Sequence, residues 1–285
     1  MRVWAEAKTE TQTRNAKDSI NFIIRIGLSD LQDERNIASK MSPDIRKHRG
    51  AHPEDHRLFG RDQLPKLLAA VSELSWLLTR EYAIKGALKL VGDKFSLNER
   101  QRLAVSRAAC SDQSLKDRAS TDVAMHSAKG QPVIIDGFNL LITVEAALSG
   151  GLLLLCRDGC IRDLSGVHGS YRSVEETDGA IRLIGDLMAE LGIASAQWVL
   201  DKPISNSGRM AERIRDLAAQ CQWDWSVDLA FNPDAEIVAS KRIVISSDGP
   251  LLDRVSRWMN FGRYVIEKRV AWAWSIDLSS PGHSF

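Results

Sequence analysis

Two β-branched runs in this chain, Pro132-Val-Ile-Ile-Asp136 and Arg242-Ile-Val-Ile-Ser-Ser-Asp248, each finish on an aspartate. Unbroken Val/Ile runs read as strands buried on both faces of a parallel sheet, where ligands bind beyond the carboxyl ends of the strands. Both carboxylates are therefore expected in one crevice. Converging carboxylates repel, and a hard oxygen-seeking cation, Mg²⁺ or Mn²⁺, relieves that repulsion. Asp253, five residues beyond Asp248, is expected close enough to contribute through water. Each aspartate also has a plainer reading as a helix N-cap, supported at Asp248 by the following Gly249-Pro250. Two caps that converge favour a site.

Further residues could complete it. Gly137 is expected to let the backbone turn close to a ligand, and Asn139 to face the same place. Glu175 and Glu176 open a later helix; Ser173-Val-Glu-Glu176 has the spacing of a capping box, which would engage Glu176 and leave Glu175 freer to ligate. Asp178 lies on the same turn. A third strand, Gln197-Trp-Val-Leu-Asp201, also ends in aspartate and leads into Lys202-Pro-Ile-Ser205-Asn206-Ser207-Gly208-Arg209. That turn offers backbone N–H groups at a helix start and the guanidinium of Arg209, a combination suited to phosphate; an over-determined N-cap explains it as well. His168 stands in the Gly166–Arg172 loop with no partner spacing, so no base is assigned to it.

The elements that must position these groups follow from periodicity. Leu64, Leu67, Leu68, Val71, Leu74, Leu77 and Leu78 recur at helical spacing, a second helix spans 84–90, and Ser96-Leu-Asn-Glu99 is read as the capping box of a third. The division expected is a poorly ordered segment 1–60, a helical domain 61–112, a polar linker 113–130 and an α/β domain 131–285. Within the last, strands are expected at 132–135, 196–200, 223–229, 242–246 and 263–267, helices at 139–148, 174–191, 208–221 and 249–260, and a hairpin at 151–164. The 272–277 segment adds an edge strand. Strands separated by helices predict a doubly wound, mostly parallel sheet.

Composition excludes little. The 285 residues are 44% hydrophobic and 26% charged, with 38 Lys+Arg against 37 Asp+Glu. A net charge of +1 gives no global signal for nucleic acid, so any such contact must be local. Lys85, Lys89, Lys94, Arg100, Arg102 and Arg107 supply a basic surface on the helical domain, read either as a solvated face or as a docking face. Cys110, Cys156, Cys160 and Cys221 lack CxxC spacing, and neither a secretory signal nor an apolar span is visible, so a reducing cytoplasm and packed thiols are expected.

The stretch from Arg49 to Glu267 is similar to an uncharacterised prokaryotic family, domain-of-unknown-function family 434 with a PIN-like C-terminal partner. Arg80-Glu-Tyr-Ala-Ile-Lys-Gly-Ala-Leu-Lys-Leu-Val-Gly-Asp93, Thr143-Val-Glu-Ala-Ala-Leu-Ser-Gly-Gly151 and Ser205–Arg209 carry that resemblance. More broadly, Asp136-Gly-Phe-Asn139, the acidic helix and Ser246-Ser-Asp-Gly-Pro-Leu-Leu-Asp253 resemble the PIN-like and NYN superfamily of metal-dependent ribonucleases. That resemblance implies a PIN-like sheet hydrolysing phosphodiester bonds, in RNA rather than DNA. Asp136, Glu175 or Glu176, and Asp248 would hold Mg²⁺ or Mn²⁺, Asp253 would complete the shell, and Asn139, Ser205, Asn206, Ser207 and Arg209 would grip phosphate. The rivals are a non-catalytic RNA- or protein-binding module and a small-molecule phosphatase; Phe138 where an aspartyl-phosphatase needs its second aspartate argues against the latter.

Residues 1–40 carry no periodic apolar face, and Met41 is an alternative start. A chain beginning at Met41 is expected to melt within a few degrees of the full-length protein. A large drop in melting temperature would show instead that Phe22, Ile23, Ile24 and Ile26 pack on the body.

Overall fold

The structure, a computed structural model, describes residues 48–165 and 171–279. The 19–28 segment, Met41 and His168 lie outside the described residues. A helical region comes first: α1 (Asp55–Leu58), α2 (Leu64–Thr79), α3 (Ile84–Lys94), α4 (Glu99–Ala108) and α5 (Asp112–Thr121). The α2 stripe works as its spacing requires, burying Leu67, Ala70, Val71 and Leu74. Part of the segment expected to be poorly ordered is anchored: Leu58 and Phe59 are buried, and Asp55, fully buried, accepts through both oxygens from one edge of the Arg100 guanidinium.

The α4 cap is displaced from Ser96. Asn98 accepts from the Gln101 backbone at 2.9 Å and the Gln101 side chain returns the bond. Ser96 instead has φ +48° and closes α3, with the Leu97 N–H bonded to the Gly92 carbonyl; a left-handed residue cannot be the extended N-cap. The polar stretch expected as a linker is helical too. Ser111 caps α5 through the Ser114 N–H, and α5 is followed by a 3₁₀ turn at Met125–Ala128.

Then comes the sheet: β1 (Pro132–Asp136), α6 (Gly137–Leu148), β2 (Leu153–Leu155), β3 (Ile161–Asp163), α7 (Thr177–Glu190), β4 (Ser195–Asp201), α8 (Ser207–Gln220), β5 (Trp225–Ala230), α9 (Pro233–Ala239), β6 (Ile243–Ile245), α10 (Gly249–Leu252), β7 (Trp258–Met259), α11 (Phe261–Arg269) and β8 (Ser275–Asp277). The main sheet runs β5-β4-β1-β6-β7, every neighbouring pair parallel. Alternation splits its side chains between two layers. Val133, Ile135, Trp198 and Leu200 face one core with α6, α7, α8 and α11; Ile134, Val199 and Val244 face another with α9 and α10. The fold is thus mixed α/β, a helical region followed by a doubly wound parallel sheet.

A smaller sheet, β3-β2-β8, takes the hairpin and the late strand. Its Leu152, Leu154 and Ile276 pack into the same core as Leu67, Leu74 and Val105 of the helical region. The described residues, 48–165 and 171–279, fall within one compact unit. All four cysteines are free thiols, three of them buried. No helix among the described residues is long and apolar enough to cross a membrane.

Three elements differ from the periodic reading. The 263–267 strand is the helix α11, where Phe261, Val265 and Ile266 share one buried face at helical spacing. The helix expected at 249–260 stops at Leu252, because Trp258 and Met259 pair with Val244 and Ile245 as an edge strand. A short helix, α9, was not expected at all, although Asn232 caps it through the Ala235 N–H and Pro233 opens it.

Glycines in α3 and α7 give opposite predictions. A Cβ on Gly86 meets nothing within 4 Å, so Gly86→Ala should raise stability by about 0.5–1 kcal/mol. On Gly185 it would lie 2.1 Å from the Trp223 ring, so Gly185→Ala should lower it by about 1–3 kcal/mol. Urea unfolding of both variants checks the pair.

Candidate functional site

β1 and β6 are adjacent and parallel, with Ile135 opposite Ile245, so Asp136 and the Ser246-Ser247-Asp248 run leave the sheet side by side. β4 and β5 lie to one side of β1 and β6 and β7 to the other. The chain therefore reverses its direction of travel across the sheet between β1 and β6. Such a reversal splays the flanking connections apart and opens a crevice. Here it is a cleft of about 650 Å³.

Asp136 occupies the N-cap position of α6 without capping it. Its Oδ2 accepts from the Ser246 hydroxyl at 2.8 Å, and the same Ser246 oxygen accepts the Asp248 N–H at 2.9 Å. Ser246 thus ties the two strand-end aspartates together. Asp248 does cap its helix, one oxygen accepting the Leu251 N–H at 3.1 Å. Asn139 braces the same junction: its Oδ1 accepts from the Ser247 N–H at 2.8 Å and from the Ser247 hydroxyl at 2.9 Å. The close approach that Gly137 permits is to protein rather than ligand, since a Cβ there would sit 2.4 Å from Leu200.

Two more carboxylates line the cleft. Asp201 ends β4, and Asp234 stands in the first turn of α9. Burial pushes the Asp136 carboxyl up to about 7; the Ser246 hydrogen bond opposes this, and the charges of Asp248, Asp201 and Asp234 add to it. Burial also raises Asp248 and Asp201, each further raised by Asp234. Asp201 was visible as a strand-end aspartate in the sequence. Asp234 was not, because the Asn232-Pro233 helix start that places it was missed.

The opposite wall belongs to the helical region. Ser106, Arg107, Ser111, Ser114 and Arg118 line it. Arg118 holds Asp253 in a two-pronged contact at 2.7 and 2.8 Å and reaches Asp158 at 2.6 Å. Arg162 donates to both Asp158 oxygens, at 2.6 and 3.0 Å, and to the Ser247 carbonyl at 2.6 Å. Burial alone would raise the Asp158 carboxyl, but Arg162 and Arg118 hold it at about 2. Gly249 makes room for this, a Cβ there lying 2.9 Å from the Arg118 guanidinium. Asp253 lines the cleft, yet both its oxygens are engaged by Arg118.

The remaining expected residues lie elsewhere. The Ser173 capping box does not form; Thr177 takes the Val174 N–H instead and Glu176 precedes α7 without a side-chain cap bond. Glu176 meets His48 Nδ1 at 2.6 Å, its Oε2 being buried without a hydrogen-bond partner among the described residues, while Glu175 is exposed. Neither lines the cleft, so the acidic group is Asp136, Asp201, Asp234 and Asp248, without either glutamate. Asp178 pairs with Arg213. In the β4–α8 turn, Asn206 has φ +69° and donates to the Tyr171 carbonyl at 2.9 Å, and Ser207 is buried against the Lys202 carbonyl. Ser205 and Arg209 are exposed beside it. Much of the expected basic face is internally neutralised: Lys89 and Arg102 meet Asp93, Lys94 meets Glu73, and Arg100 meets Asp55.

Residues 66–120 match a family described as a protein of unknown function (DUF434), and residues 125–264 match one described as a domain of unknown function (DUF5616). The uncharacterized protein MJ0935 of Methanocaldococcus jannaschii is 31% identical over 183 residues, 64% of this chain and 87% of that one. This chain belongs to the MJ0935 family. The helical region thus carries the expected family-434 resemblance, while the main sheet falls under a separate description. No solved structure matches.

The raised Asp136 carboxyl sets a pH dependence. Its folded pKa of about 7 exceeds the ordinary 3.8, so the folded state holds its proton more tightly and this contribution to stability declines as pH climbs through that window. Asp136→Asn removes the titration. The variant's stability relative to wild type should therefore increase between about pH 4 and 7 and level off above, in urea titrations with EDTA. An equal difference at both ends would contradict the burial and repulsion described.

Proposed function

We propose that this member of the MJ0935 family is a metal-dependent phosphodiester hydrolase with a PIN-like sheet, acting on nucleic acid and on RNA rather than DNA. The observation that carries the reading is the cleft itself: four aspartates approach the switch point of a parallel sheet with Asp136 held near 7. Uncompensated like charges at a ligand-binding crevice are costly to keep and suit a cation.

The donor set fits Mg²⁺ or Mn²⁺, being all oxygen. Among the described residues no three His, Cys, Asp or Glu groups stand together as a ready-made metal cluster. Mg²⁺ is commonly held by one or two carboxylates with the rest of its shell water, so that absence leaves the fit intact. Asp136 and the free oxygen of Asp248 would hold it, with Asp201 and Asp234 closing the acidic wall. When bound, the cation supplies charge neutralisation at a phosphate and an acidified water.

The protein's own groups do the rest. Ser246 fixes the rotamer of Asp136 and the backbone of Asp248 in one stroke, and Asn139 fixes the loop that carries them. Asp253 is a positioning group that aims Arg118, instead of completing a metal shell. Arg209, exposed on the first turn of α8, remains the phosphate contact on the sheet side; Asn206 and Ser207 shape its turn.

Asp136→Asn should lower Mn²⁺-dependent cleavage of single-stranded RNA by on the order of a hundredfold or more, since even supporting residues of metal sites cost 10–100-fold. The variant should also lose the rise in melting temperature that Mn²⁺ gives wild type at pH 8. Arg209→Ala should spare the Mn²⁺ response but weaken RNA binding and reduce its salt slope by about 0.7. Wild-type protein that binds RNA yet never cleaves it with either cation favours the binding module.

A further inference from the structure

Of the five described phenylalanines, Phe59, Phe138 and Phe261 are buried and Phe95 is partly so, but Phe231 is 76% exposed. Phe231 follows β5 directly, three residues before the cleft carboxylate Asp234. Lys202, next to the cleft carboxylate Asp201, lies against its ring with Nζ 4.5 Å from the centroid. The two are fixed together by the backbone: Asp201 stands opposite Ala230 in the β4–β5 ladder, and the Lys202 N–H donates to the Ala230 carbonyl at 2.8 Å. Lys202, Ser205, Asn206 and Arg209 are all exposed on the adjoining turn.

We infer that Phe231 and Lys202 form a shelf on which an unpaired base of a single-stranded nucleic acid stacks, delivering the neighbouring phosphodiester toward Asp201 and Asp234. This rests on the phosphodiester reading of the cleft and adds a residue that selects for strand state. An aromatic face joined to a cation is how non-sequence-specific single-strand sites work: the ring takes any base, and the cation takes the adjoining phosphate. Lys202 needs only part of the ring, and the high exposure of Phe231 leaves the remainder open to a base. A duplex cannot use it, because its bases already stack on one another. The shelf sits at the C-terminal ends of β4 and β5, beside the cleft carboxylates Asp201 and Asp234.

The test is fluorescence anisotropy in EDTA with a short fluorescein-labelled single-stranded oligoribonucleotide and its pre-formed duplex, so that binding is read without cleavage. Phe231→Ala should weaken single-strand binding by about tenfold, the lower part of the range for one stacked base. Phe231→Trp should retain wild-type affinity. Trp272→Ala, which removes another exposed aromatic at 70% exposure ahead of the smaller sheet, should leave it unchanged, and duplex affinity should be insensitive to all three. Equal single-strand affinity for wild type and Phe231→Ala overturns the inference, as does an equal loss in Trp272→Ala or an equal loss on duplex. Absence of wild-type binding overturns it as well. Phe231-dependent binding without any cleavage in Mn²⁺ would sink the hydrolase reading and leave the shelf standing.

Discussion

Asp158 is the carboxylate on which the assembly of this molecule turns. It sits in the 156–160 hairpin turn, buried, with Arg118 from α5 on one side and Arg162 from β3 on the other. Burying an ion is costly, and a buried pair survives only where both partners are fully hydrogen-bonded. Here they are: Arg118 goes on to Asp253 beyond α10, and Arg162 to the carbonyls of Ser247 and Arg107. One acidic group thereby fixes the hairpin, two helices of the helical region and the loop after β6. Removing it would leave two buried guanidiniums short of charge, a loss of about 3–5 kcal/mol where such pairs are broken on one side.

The same cleft contains the reverse arrangement. Asp158, between two guanidiniums, is held at about 2, whereas Asp136, buried near three other aspartates, rises to about 7. Identical side chains are pushed apart by what surrounds them, and such divergence separates groups that hold a fold together from groups kept available for chemistry. Arg118 and Arg162 lower Asp248 only as lesser influences. The acidic quartet is therefore left with its repulsion while the neighbouring ion network is satisfied.

How legible this was depended on the length of the signal. β1 ends on Asp136 and β6 runs through Ser246-Ser247 into Asp248, each after an unbroken β-branched run long enough to read, and their adjacency follows from the parallel topology. Asp234 depended on a seven-residue helix, too short for an apolar face to repeat, and only its Asn-Pro start could have revealed it. The 263–267 segment favours a strand locally through its aromatic and β-branched residues, yet burial against α6 and α7 makes it helix. Glu176 looked like a cap by spacing alone. Its fate was set by His48, 128 residues away, and by the Thr177 hydroxyl, which takes the Val174 N–H and so moves the turn's side-chain bond one residue on.

The helical region then has a role beyond adding core. Its α4 and α5 bring Arg107, Arg118 and three serines across from the aspartates, so the cleft has an acidic wall built on strand ends and the helix starts beside them and a basic, hydroxyl-bearing wall built on the helical region. Strand ends are held by ladder hydrogen bonds and cannot shift without breaking register, whereas α5 is held to the sheet through Asp158, Asp253 and the Trp258 indole bonded to the Arg118 carbonyl at 2.8 Å. The acidic wall is thus set by the backbone and the basic wall by side-chain charge. The buried ion network and the part-buried carboxylates thus meet across one cleft.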